Sequence, residues 1–180
     1  MRDLRALLYT AFATALICIT SFMTVPFSVP ITLQLFGLYL TLFLLGGRLG
    51  SLATLLYISL GAIGLPVFSG FVGGVSRLFD ATGGYIFGFL IAALFYWLMT
   101  WLLPKKNFIK LFLALLSLLL LYTSGTLWYA LVYLGGARDV IYVLSVCVFP
   151  FILPDVLKIA AAYFLAAHLS RRLKYNSRFV

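Results

Sequence analysis

The chain has 180 residues, of which 64% are hydrophobic and only 9% charged, with a mean hydropathy of +1.16 and a net charge of +9. This excludes an ordinary soluble domain and places the chain in a membrane, where only helices or a closed barrel satisfy the backbone. The apolar runs are long and do not alternate, so the expected fold is all-α: a single domain over residues 1–180, a compact bundle of six transmembrane helices.

The residue inventory also narrows the chemistry. There is no Glu, and His168 is the only histidine. Cys18 and Cys147 lie in apolar runs without metal-binding spacing and read as inert thiols. No phosphate loop of the type G-x-x-x-x-G-K-[ST] occurs, so the chain cannot hydrolyse ATP in that way by itself. Acid–base and metal catalysis both lack residues, and the expectation is a protein without enzymatic activity or cofactor.

In chain order, Arg2 and Arg5 precede an apolar run to Val25, read as an uncleaved first helix. Ala11 and Ala15 stand four apart on it, a spacing that permits close helix approach, either inside the bundle or against a partner. Pro26 to Pro30 reads as a turn. The second helix is predicted over 32–45, with Gln34 near its start as either a hydrogen-bonding cap residue or a ligand contact. After a turn at Gly46–Gly50, a short third helix is predicted over 51–64. Leu65 to Tyr85 is rich in glycine (Gly70, Gly73, Gly74, Gly83 and Gly84) and reads as an external loop, a candidate lid. Within it, Arg77 and Asp80 read as a mutual surface pair. A fourth helix is predicted over 85–103 and a fifth over 109–134, separated by the basic turn Pro104–Asn107. Trp128, Tyr129 and Tyr133 fit an interfacial aromatic belt better than a pocket wall. Residues 140–149 are too few to span and are stopped by Pro150. The sixth helix is predicted from Pro154 to about Leu173, packed tightly through Ala160, Ala161, Ala162, Ala166 and Ala167.

The start of that helix is the most informative stretch. Pro154 reads as its first residue, Asp155 as a first-turn anion favoured by the helix dipole, and Lys158 follows at i+3 on the same face. Ionisable residues at membrane depth mark functional sites, and a buried ion pair adds little stability by itself. The alternative is a self-satisfied pair that fixes a helix end.

Six spans with a cytoplasmic N-terminus put Arg2, Arg5, Arg48, Lys105, Lys106, Lys110, Arg171, Arg172, Lys174 and Arg178 inside, and only Arg77 and Arg138 outside. This asymmetry predicts a multi-pass cell-membrane protein with both termini cytoplasmic. The positive charge then serves topology and contact with anionic lipid rather than nucleic acid. Gln34, the Gly-rich loop, Asp155 and Lys158 all fall on the outer side, where an apolar pocket with a few polar groups would suit a small molecule.

The ordered blocks Val29-Pro30-Ile31-Thr32-Leu33-Gln34, Gly61 to Gly70 with Gly64-Leu65-Pro66-Val67-Phe68, Gly73-Gly74, Ala81-Thr82-Gly83-Gly84-Tyr85, Gly88-Phe89, Pro150-Phe151 and Asp155-Val156-Leu157-Lys158 resemble the BioY family. These are the biotin-specific S components of energy-coupling factor (ECF) transporters. The chain departs from the family pattern at Asp80-Ala81 and Pro154. The resemblance implies capture of biotin at the external face, and partnership with a coupling membrane protein and two ATP-binding subunits. It puts Asp155, Lys158, Gln34, Tyr85, Thr82, Gly84 and Gly74 at the biotin site, and Ala11 and Ala15 against the coupling protein. The chemistry of these side chains suits biotin: an ammonium can pair with a carboxylate or donate to the ureido carbonyl, and Asp155 can accept ureido N–H bonds. The competing reading is an ion- or proton-coupled carrier or channel with Asp155 as the ion site; no inverted repeat supports it.

Overall fold

A computed structural model describes residues 2–25, 31–104, 106–133, 135 and 140–172. The expected turn at 26–30, Lys105, Arg138, Lys174 and Arg178 lie outside the described residues. The chain forms α1 (Arg2–Phe22), a two-stranded antiparallel ribbon of β1 (Thr24–Val25) and β2 (Ile31–Thr32), and α2 (Gln34–Ala62). A 3-10 turn (Val75–Phe79), α3 (Gly83–Leu102) and α4 (Asn107–Trp128) follow. A π-helical turn (Tyr129–Tyr133) extends α4, and α5 (Val140–Cys147) and α6 (Phe149–Arg172) complete the chain. Among the described residues, five helical stretches are long and apolar enough to cross a membrane.

The expected turn between the second and third helices is tighter than glycine and arginine at 46–50 suggested. Residues 47–50 are helical, and the reversal is confined to Gly46, at φ 80° and ψ 169°. That conformation is essentially restricted to glycine. The two arms of α2 fold back on each other. Gly37 packs against Thr20 of α1, while Thr14 of α1 donates to the Ala53 carbonyl at 3.2 Å. In a straight helix residues 37 and 53 would be about 24 Å apart, yet Thr14 and Thr20 are separated by about 9 Å on α1. A Cβ on Gly50 would lie 2.6 Å from a methyl of Leu42 and 3.3 Å from its Cα, so the two arms are in close contact there.

Without water to drive association, helices in lipid hold together through close packing. Gly88 admits Ser124 and Leu121 of α4, and Ala162 and Ala166 of α6 are buried in the core. At the centre Tyr39 is fully buried, its hydroxyl 3.0 Å from the Ala114 carbonyl and 2.8 Å from Ser117 Oγ. α1 buries Ala13 and Ile17 and turns Leu7, Phe12 and Ile19 outward, with Ala11 and Ala15 on that exposed side.

α5 and α6 are almost continuous: Val148 N–H reaches the Leu144 carbonyl at 3.0 Å, and Ile152 N–H reaches Val148 at 3.2 Å. Helix α6 therefore starts at Phe149, with Pro150 in its first turn and Pro154 inside it. This corrects the expectation that Pro154 opens the helix. Asp155 sits beyond the first turn, so the helix dipole is not what holds it there. Neighbouring helices supply the packing that lets a membrane helix tolerate an internal proline.

The two ends of the bundle differ. The fold-back of α2 meets the far part of α3, where Gly47 packs on the Trp97 backbone, and the second half of α6, where Phe43 and Tyr163 are edge-to-face at 5.5 Å. The Gly-rich loop closes the opposite end. It is tied to α2 by Gly74 N–H to the Gly61 carbonyl at 2.7 Å, and to α4 by Trp128 Nε1 to the Asp80 carbonyl at 3.0 Å.

Candidate functional site

A cavity of about 350 Å³ opens at the loop end of the bundle, walled by β2, both arms of α2, the loop, α3, α4, α5 and α6. Its volume lies in the range of small-molecule sites.

Asp155 is the buried anion of this wall. Lys158 Nζ donates to Oδ1 at 2.7 Å and Tyr122 hydroxyl donates to Oδ2 at 2.8 Å. The carboxylate and ammonium side chains are 9% and 11% exposed. Two opposite charges so far from water are tolerable only with additional hydrogen bonds, and Tyr122 provides one. The pair is neutral as a whole while presenting an acceptor beside a donor.

Gln34 is 4% exposed, and its Nε2 has no hydrogen-bond partner among the described residues; the same is true of the Tyr57 hydroxyl. Both residues line the cavity. Both polar atoms are shut off from solvent, and the Tyr57 hydroxyl lies within reach of Gln34 and Ser21, so the three form a buried polar cluster at the cavity wall. Tyr85, at the start of α3, gives its hydroxyl to the Cys147 carbonyl at 2.9 Å. That carbonyl is free because Phe151 N–H turns instead to Val148. Tyr85 thereby ties the wall of α3 to the α5–α6 junction.

The loop contributes a second ion pair. Arg77 Nη1 donates to Asp80 Oδ2 at 2.9 Å, with side chains 43% and 38% exposed. Asp80 Oδ1 accepts the Ala81 N–H at 2.7 Å, and the Asp80 carbonyl accepts Trp128 Nε1. The pair expected at Arg77 and Asp80 therefore forms, but it lines the cavity rather than only the surface.

Of the residues singled out in the sequence, Gln34, Thr82, Tyr85, Asp155 and Lys158 come together in the wall. Gly74 and Gly84 are not among the lining residues. Gly74 takes φ 102° to open the 3-10 turn. Gly84 lets α3 approach Trp128 and the Ser124 backbone, where any side chain would collide. Of the three residues read as an aromatic belt, Trp128 bonds to the loop, Tyr129 is buried, and Tyr133 lines the cavity while half of it stays exposed. Sequence reasoning missed Tyr122 and Tyr57. Tyr122 carried a usable signal, as the only tyrosine in α4, within a run of leucines.

A chamber of mixed apolar and polar lining, with the Asp155 carboxylate already neutralised, has the size and the donors and acceptors to hold a polar-headed small molecule. Known proteins agree. The profile of the BioY family matches residues 1–175. A biotin transporter BioY of Thermotoga maritima is 35% identical over 176 residues, covering 93% of this chain and 97% of its own length. A probable biotin transporter BioY of Pyrococcus horikoshii is 38% identical over 141 residues, covering 78% of this chain and 80% of its own. The crystal structure of an S-component for biotin from an ECF-type ABC transporter matches with a TM-score of 0.84 at 26% identity, over 94% of this chain and 93% of that one.

Proposed function

This chain belongs to the BioY family, and from that membership and the cavity we propose that it is the biotin-binding S component of an ECF-type transporter. It is a binding subunit and not an enzyme. The observation that carries the reading is the Asp155–Lys158–Tyr122 cluster, an acceptor and a donor held side by side in a buried wall. A ureido ring and a carboxylate need such groups, and the surrounding Phe89, Phe151 and Leu121 suit a thiophane ring and a valeryl chain. Biotin contacts are assigned to Asp155, Lys158, Gln34, Tyr85 and Thr82. The test is equilibrium binding of labelled biotin to the detergent-solubilised full chain, with saturation at one ligand per chain expected. Absence of saturable binding overturns the reading.

The topology proposed is six spans with both termini cytoplasmic. Its support is the reversal at Gly46, from which we read each arm of α2 as a separate crossing, together with the basic residues gathered in the sequence on one side. The cavity then opens outward. Uptake against a gradient is proposed to require a coupling membrane protein and two ATP-binding subunits, since the chain has no phosphate loop. Ala11 and Ala15, small and exposed on α1, are assigned to the coupling contact. An ion-coupled carrier using Asp155 is not favoured, because both oxygens of that carboxylate already hold donors.

A further inference from the structure

We propose that Arg77 receives the carboxylate of the bound ligand, so that biotin lies with its ureido ring at Asp155 and its carboxylate at Arg77. The inference rests on the biotin reading above.

The cavity contains two ion pairs of different character. Asp155 and Lys158 are almost wholly buried, whereas Arg77 and Asp80 keep about two-fifths of their side-chain surface. Both pairs are anchored on one ruler, helix α4: Tyr122 holds Asp155, and Trp128 holds the Asp80 carbonyl. Six residues of helix separate these anchors, a rise of about 9 Å. The same wall carries the apolar side chains Leu121, Phe89 and Ile86. The two polar ends of biotin are joined by an apolar ring and chain.

The chemistry decides which end goes where. A ureido group is neutral and offers two N–H donors and one carbonyl acceptor. It matches an acceptor beside a donor, as Asp155 and Lys158 present. A carboxylate is charged and accepts only. Against Asp155 it would face a like charge at a buried position, where losing hydration is most expensive. At Arg77 it also neighbours a carboxylate, Asp80, but at a position about two-fifths exposed, where it keeps part of its hydration and meets a planar guanidinium with five N–H donors. Asp80 takes a donor from Nη1, and the rest of the fork has no other partner among the described residues. Asp80 is itself fixed by Ala81 N–H and Trp128. The guanidinium is therefore held in place before any ligand arrives, which reduces the ordering cost on binding.

The test compares biotin with its neutral carboxamide, biotinamide, on the purified full chain. Wild-type protein is expected to prefer the acid by at least about tenfold, as a charge-assisted contact requires. In Arg77→Gln the ratio should fall to about one, while Arg77→Lys should retain part of the preference. Lys158→Met should weaken both ligands together and preserve the ratio. The proposal is overturned if wild-type protein binds acid and amide equally, or if Arg77→Gln keeps the preference. A ratio that collapses in Lys158→Met instead reverses the orientation and also overturns it. The wild-type comparison needs no variant, so a misfolded Arg77→Gln still leaves the idea open to refutation. Failure of wild-type protein to bind either ligand refutes the biotin reading itself, a result distinct from equal binding of the two.

Discussion

Asp155 answers to two donors that reach it from different helices, and this makes its orientation testable. Tyr122→Phe removes the bond to Oδ2 and leaves one oxygen of a buried carboxylate without a partner, a loss of about 1–3 kcal/mol. If Tyr122 acts by positioning Asp155, biotin affinity should fall roughly tenfold, and the loss should largely vanish when Asp155 is already Asn. Additive losses in that double-mutant cycle would show that Tyr122 acts elsewhere. The Asp155–Lys158 pair separates in the same way from a purely structural pair. Asp155→Asn or Lys158→Met should each cost about 2–5 kcal/mol of binding, or roughly 30-fold to several thousand-fold. Wild-type affinity in a folded but less heat-stable Lys158→Met protein would reduce the pair to a structural brace. These two charges were legible because an i, i+3 pair stands out in an apolar run. Arg77 was legible as a charge but not as part of the wall. Its place depends on the indole of Trp128 meeting Asp80 from 48 residues away, and no local pattern encodes that.

Helices were readable from hydropathy, whereas the breaks between them were governed by tertiary contacts. Gly46-Gly47-Arg48-Leu49-Gly50 looks like a loop, but one glycine suffices to reverse the chain and the others serve close packing. Pro154 looks like a helix start, but the bundle carries α6 back to Phe149 and leaves the proline inside. Gly46→Ala should therefore destabilise the protein by about 1–3 kcal/mol, since alanine resists the φ of 80°. The measurement is thermal unfolding in detergent, and an unchanged midpoint would mean that the reversal can be made without a positive φ. The Gly-rich loop makes a different prediction. If it closes over biotin, hydrogen exchange across residues 65–85 should slow at saturating ligand. Identical exchange with and without biotin would remove the lid role and leave the loop a fixed wall.

The whole molecule has an inside and an outside that its charges should determine. A single cysteine placed in the C-terminal tail, on a background lacking Cys18 and Cys147, should resist an impermeant thiol reagent in intact cells. Ready labelling would contradict the six-crossing arrangement. The exposed alanines of α1 should matter only in the assembled transporter. Ala11→Trp should leave biotin binding by the isolated chain intact and impair uptake, whereas loss of binding would assign that face to the bundle interior. One further consequence follows from the indole that fastens the loop. Of the three tryptophans, Trp97 and Trp101 are exposed on α3, while Trp128 is partly enclosed between Phe79 and Phe87, 6.2 and 5.8 Å from their ring centres. Its emission should be sensitive to the Asp80 carbonyl it bonds and to the dielectric of the chamber beside it. With Trp97 and Trp101 replaced by phenylalanine, the protein would carry a single tryptophan, fastened to the loop beside the chamber, and under excitation selective for indole the colour of that light would follow occupancy in real time without any attached dye.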